Sequence, residues 1–117
     1  MLPNRIRVSE RASSQLKLLK GRTGLTPNVI SRIALMNSLK DDCKLMHKPE
    51  ELNGLEFNSI TLFGDYIRLY EALILRYQIS HEPAMPMTKL VPSLIESGLQ
   101  ALGHVKQLDD LISASLK

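Results

Sequence analysis

The chain has 117 residues, 44% of them hydrophobic and 23% charged, which suits one globular domain with its own core and leaves no room for a second. The single cysteine, Cys43, excludes an intrachain disulfide, the short apolar runs exclude a membrane span of ~20 residues, and the basic start MLPNRIRVSER lacks the apolar stretch of an export signal, so a soluble, cytoplasmic protein is expected. The net charge of +3 hides a polarity: residues 1–40 carry eight Lys or Arg against one acid, Glu10, while residues 41–117 carry seven basic and eleven acidic side chains.

A basic first third on a mildly acidic body is the footprint of a polyanion partner, nucleic acid foremost, against the plainer reading of a solvated face. In Arg5-Ile6-Arg7-Val8 polar and apolar residues alternate, so an extended segment places Ile6 and Val8 on one face and Arg5 and Arg7 on the other. Ser9 suits the cap of a helix to about Lys20, with Ala12, Leu16 and Leu19 as its buried stripe and Ser13, Lys17 and Lys20 as an adjacent polar one. Gly21 and Gly24 bracket a basic turn and supply the stop. Thr26-Pro27-Asn28 opens a second helix, threonine at the N-cap and proline at the first position, where its missing N–H costs nothing. That helix is expected to run to about Leu39 or Lys40. Val29, Ile30, Ile33, Ala34, Met36 and Leu39 cover more than half its circumference, which predicts a helix at the centre of an oligomer or of a multi-helix core.

Residues 41–55, with Pro49 and Asn53-Gly54, read as loop or a short irregular helix. Phe57 to Phe63 fits a short strand or an extended lead-in. Asp65 is the expected N-cap of a helix to about Gln78, whose apolar residues from Ile67 to Tyr77 surround it almost completely, the pattern of a buried helix. Pro83 and Pro86 mark a kink. A last helical region starts near Met87, carries Leu90, Leu94, Leu99 and Leu102, and is broken near Gly103 before Val105 to Leu116. The expected fold is mainly α and homo-oligomeric, a short N-terminal strand followed by a helical bundle. It forms one domain over 1–117, a basic segment at 1–40 and a helical body at 41–117.

Catalytic chemistry is not expected. Cys43 lies among Lys40, Lys44 and His47, surroundings that would lower a thiol pKa if they converged, yet a free cysteine is more often an inert, buried apolar group. His47, His81 and His104 stand apart with no Cys or carboxylate at ligand spacing, and no GxGxxG or Walker pattern occurs. Asp41-Asp42 and Asp109-Asp110 are adjacent pairs that would point to different helix faces, which suits capping and solvated roles. No metal, cofactor or catalytic residue is therefore expected. Phe57, Phe63, Tyr66, Tyr70 and Tyr77 do not interleave with the basic residues, which argues against stacking on single strands.

A strand with alternating arginines, a helix, a glycine turn and a Thr-Pro-capped helix, all within the first 40 residues, resemble the ribbon-helix-helix module of DNA-binding proteins. In that module two chains pair strands into a ribbon that enters the major groove, and the start of the second helix grips a phosphate. By that likeness Arg5 and Arg7 face the groove and Thr26 and Asn28 the phosphate, and the function is a repressor or antitoxin that reads bases. Lys17, Lys20, Arg22 and Lys40 suit backbone phosphates better than bases, because charge on a helix face or turn lacks planar, two-pronged geometry.

Nearly the full length, and more specifically, resembles the DndE family of DNA sulfur modification proteins. The likeness rests on Arg-Ile-Arg-Val-Ser-Glu-Arg-Ala at 5–12, Leu-Lys-Gly-Arg-Thr-Gly-Leu-Thr-Pro-Asn at 19–28, Ile-Thr-Leu-Phe-Gly at 60–64 and Ile-Glu-Ser-Gly-Leu at 95–99. The resemblance implies a bacterial phosphorothioation system, in which sulfur replaces a non-bridging oxygen of the DNA backbone. It further implies a small, non-enzymatic DNA-binding subunit that works beside the other subunits, forms a homo-oligomer, a tetramer, and favours nicked double-stranded DNA. The family's DNA contacts are basic and carry over to the N-terminal lysines and arginines. Cys43 as a sulfur carrier, a carboxylate set as a nickase centre, and a scaffold for an acidic protein are the rival readings.

Overall fold

The computed structural model describes residues 2–45 and 47–116, with side chains to Ile112. Strand β1 (Arg5–Arg7) has the alternation its sequence dictates, Ile6 buried and both arginines exposed. Its partner is a strand far along the chain, β2 (Glu56–Asn58), paired antiparallel with Arg5 opposite Asn58, Ile6 opposite Phe57 and Arg7 opposite Glu56. The pairing continues beyond the strands, where Val8 donates to the Leu55 carbonyl at 3.0 Å and accepts from Gly54 at 2.7 Å. The strand-helix-helix order of the start holds. The second strand of the ribbon, however, comes from the same chain, whereas a ribbon-helix-helix module takes it from another.

Helix α1 (Glu10–Thr23) is capped by Ser9, whose Oγ accepts from the Ala12 amide at 3.1 Å, and it buries Ala12, Leu16, Leu19 and Thr23 on one stripe. The helix runs through Gly21 and past Lys20, because the left-handed turn that stops it is taken by Gly24 alone of the two glycines, at φ 78°. Helix α2 (Pro27–Asp41) starts as its sequence demands: Thr26 Oγ1 accepts from the Val29 amide and Pro27 occupies the first turn. The described residues between α2 and β2 form no helix or strand, and after β2 Asn58 caps α3 (Ser59–Phe63) by accepting from the Ile60 and Thr61 amides. The expected cap Asp65 instead lies inside a 3-10 turn, Gly64–Tyr66, and α4 (Ile67–His81) continues directly from it. Helices α5 (Met87–Ala101) and α6 (Leu108–Leu116) complete the chain.

The core is built around α2 and α5. Ser38 Oγ donates to the Leu94 carbonyl at 2.6 Å, and Gly98 lies against the Ala34 backbone, so the two helices cross antiparallel. A Cβ at position 98 would overlap the Ala34 carbonyl, which makes glycine a requirement of this approach. Helix α5 buries Leu90, Val91, Leu94, Ile95 and Leu99, with Glu96 beside them accepting from the Ser9 hydroxyl. Helix α2 packs against α1, α3, α4 and α5, the multi-helix core expected of it, with Ile30, Ala34 and Leu35 buried and Met36 left exposed. One expectation of burial needs correction. On α4 only Ile74 and Tyr77 are buried; Leu69, Leu75 and Ile79 are 55%, 43% and 68% exposed, because α4 lies on the outside of the bundle. The radius of gyration, 13.0 Å, matches the ~13 Å of a single compact body of this length. Among the described residues no helix is long and apolar enough to cross a membrane.

Candidate nucleic-acid interface

Helical spacing divides the cations of α1 between two flanks. Ser13, Lys17 and Lys20 follow one another at i, i+4 and i+7 on one side of the buried stripe. Arg11 and Arg22 lie on the other side, where Arg11 reaches the Gln100 side-chain oxygen at 3.4 Å and Arg22 donates to the Val105 carbonyl at 3.2 Å. The expected cluster Lys17-Lys20-Arg22 is therefore split: the lysines stay together and Arg22 is turned toward the end of α5 and the segment after it.

The lysine flank continues into the ribbon. Ser13 Oγ accepts from the Leu55 amide at 2.6 Å, one turn before Lys17. Arg7 Nη1 donates to the Gly54 carbonyl at 3.0 Å. Arg7 and Ser13, the residue that heads the lysine stripe, thus bond to consecutive residues, Gly54 and Leu55. Gly54 is obligatory there, since a Cβ would overlap Ser13 Oγ and the Ser9 carbonyl. All four cations, Arg5, Arg7, Lys17 and Lys20, are exposed.

Glu56, which sequence reading did not single out, lies between the two arginines. Arg5 Nη1 donates to Glu56 Oε2 at 3.0 Å and Arg7 Nη2 to Glu56 Oε1 at 3.1 Å. The Arg5 hydrogen bond above all, then the charges of Arg7 and Arg5, hold the Glu56 carboxyl below its usual range against the opposing effect of burial. Its pairing with Arg7 depends on a strand register set across a long loop, so no local pattern marks it.

The remaining expected residues lie elsewhere. Thr26 and Asn28 begin α2 across the short link from the end of α1, with the Thr26 hydroxyl engaged as the cap. Lys40 is in the last turn of α2, about 20 Å from Thr26 along a helix rising 1.5 Å per residue. It lines a groove of about 330 Å³ with Arg32, Ile33, Met36, Asn37 and Tyr70, apart from the lysine flank. Burial raises the Tyr70 pKa, and the charge of Arg32 opposes that shift.

Cys43 is exposed rather than buried, because it lies in the irregular segment after α2, where its Sγ contacts the Asp41 carbonyl at 3.1 Å. With Lys44, His47 and Tyr77 it borders a cavity of about 340 Å³ between α2 and α5. Asp42 pairs with His81 at 3.0 Å and Asp110 accepts from the Lys106 amide at 3.2 Å. Among the described residues no three His, Cys, Asp or Glu side chains gather as a metal site would require.

A family model described as DNA sulphur modification protein DndE matches residues 5–110. A crystal structure of DndE from Escherichia coli B7A, involved in DNA phosphorothioation modification, superposes with a TM-score of 0.72 at 31% identity, over 87% of this chain and 98% of that one. The crystal structure of a DndE G21/24K mutant, involved in DNA phosphorothioation, does so at 0.71 and 28% identity, over 87% and 99%. No curated protein sequence matches the chain.

Proposed function

The chain belongs to the DndE family of DNA sulphur modification proteins, and on that footing we propose that it is the DNA-binding subunit of a phosphorothioation machinery, holding double-stranded DNA, nicked DNA foremost, by its backbone phosphates. The observation that carries this reading is that Arg7 and Ser13, which heads the Lys17-Lys20 stripe, both bond to the Gly54-Leu55 dipeptide, while Arg5, Arg7, Lys17 and Lys20 are all exposed. Exposed cations on a helix flank and a ribbon attract phosphates without reading bases. Thr26 and Asn28, at a helix start adjoining the same helix end, add amide donors of the kind that favour anions. Arg22 and Lys40, which point elsewhere, contribute through the overall field. The role is binding rather than catalysis, with no cofactor.

The protein acts as a homo-oligomer, a tetramer, alongside the other subunits of the system. Support comes from α4, which leaves Leu69, Leu75 and Ile79 exposed among Arg68 and Arg76, apolar area that association of chains would cover. A base-reading repressor fits less well, since the ribbon is completed within the chain rather than by a second copy.

Binding to intact, nicked and single-stranded DNA of unrelated sequences, each at several salt concentrations, tests the proposal. The expected result is tightest binding to nicked duplex, little difference between sequences, and log K falling with log salt by about 0.9 per phosphate engaged. Protection of a single palindrome with weak salt dependence would favour the repressor.

A further inference from the structure

Two guanidinium groups that converge on one anion make a site before any ligand arrives. Arg5 and Arg7 project from the same face of β1, and their Nη atoms meet the two oxygens of one carboxylate, Glu56, at 3.0 and 3.1 Å. Arg7 is fixed independently, its other nitrogen held by the Gly54 carbonyl at 3.0 Å. The carboxylate is partly open to water, with a side-chain exposure of 33% against 74% and 48% for the arginines, so it can be exchanged without unfolding. A phosphate presents two oxygens at nearly the spacing of a carboxylate and forms the same forked hydrogen bonds with arginine.

We infer that the Arg5–Glu56–Arg7 cluster is an internally occupied phosphate site, in which the Glu56 carboxylate holds the position that a DNA phosphate takes on binding. This rests on the reading of the protein as a DNA binder and adds a residue with the opposite effect to the others. Glu56 keeps the arginines oriented in the free protein and lowers affinity for any phosphate that must displace it. The two guanidiniums converge on one group, so they seat one phosphate together rather than two successive ones. When the phosphate enters, Glu56 swings into solvent, and Arg7 stays aligned through Gly54.

The test is the affinity of Glu56→Gln for a nicked duplex oligonucleotide across a salt series, beside Glu50→Gln, an exposed loop acid that removes the same charge elsewhere, and Lys17→Glu/Lys20→Glu. Glu56→Gln is expected to bind at least threefold tighter than wild type, with a salt slope close to that of wild type, because the same phosphates are engaged in both complexes. Glu50→Gln is expected to change affinity less than twofold. Unchanged or weaker binding by Glu56→Gln, or an equal gain from Glu50→Gln, would overturn the inference while leaving the DNA-binding reading intact, provided the double lysine variant has lost affinity. If the lysine variant binds like wild type, the reading itself fails. Matching thermal unfolding curves for Glu56→Gln and wild type confirm that a gain reflects the site and not a change of fold.

Discussion

At Ser9 one hydroxyl serves two partners, accepting from the Ala12 amide at the start of α1 and donating to Glu96 on α5. The first contact was legible in the sequence, because capping is local chemistry. The second was not, since Glu96 lies at the far end of the chain and nothing near either residue announces the pairing. Ser9→Ala removes the cap and strands a carboxylate that is only 5% exposed, so it should cost about 2 kcal/mol in urea denaturation. A loss of about 1 kcal/mol, that of a cap alone, would show that the Glu96 contact adds nothing to it. Tyr77 offers a pH signature. Burial first, and then the charge of Glu82, push its hydroxyl up to about 12, and the same hydroxyl donates to the Cys43 carbonyl. The folded protein therefore keeps this proton where an unfolded tyrosine, with its pKa near 10, has lost it. That contribution to stability is fully present below pH 10 and disappears as pH rises toward 12. Tyr77→Phe should lower stability by about 1 kcal/mol at pH 7 and fall less steeply than wild type between pH 10 and 12 in urea midpoints; parallel pH profiles would contradict the assignment.

Among the elements, the two N-terminal helices follow their sequence closely, because Ser9, Thr26, Pro27 and the buried stripe of α1 all act within a turn or two. Gly21 did not stop α1: a glycine permits the left-handed turn without imposing it, and the turn fell at Gly24. The apolar residues all around α4 suggested enclosure, yet its outer side faces away from the bundle. Composition reports that a surface needs covering and is silent on whether the same chain or another covers it. Two predictions belong at this scale. Gly98→Ala forces apart the closest approach of α2 and α5 and should cost about 3 kcal/mol, read in urea denaturation; a variant as stable as wild type would show that the crossing has slack. Leu75→Glu/Ile79→Glu alters side chains that are largely exposed in the single chain, so the fold should persist by circular dichroism while the mass by light scattering falls toward that of one chain. An unchanged oligomeric mass would place the interface elsewhere.

For the molecule as a whole, the charge asymmetry of the sequence pointed to a polyanion but could not say which cations share a surface. Folding sorts them: Arg7 and the Ser13 end of the lysine stripe bond to Gly54-Leu55, Arg11 and Arg22 are drawn to the end of α5 and beyond, and Lys40 joins Arg32 at a groove on α2. Helix periodicity alone separates Lys17 from Arg22. The junction with the ribbon depends on β2, whose pairing with β1 across a long stretch of chain leaves no local trace. The most direct measurement compares two charge reversals of equal size, Lys17→Glu/Lys20→Glu and Arg11→Glu/Arg22→Glu, binding one nicked duplex over a range of salt. The lysine variant should lose at least tenfold in affinity, with a salt slope shallower by about 2, while the arginine variant stays within about threefold of wild type. Equal losses in the two variants, or a larger loss in the arginine one, would contradict a binding surface built on the lysine flank and the ribbon.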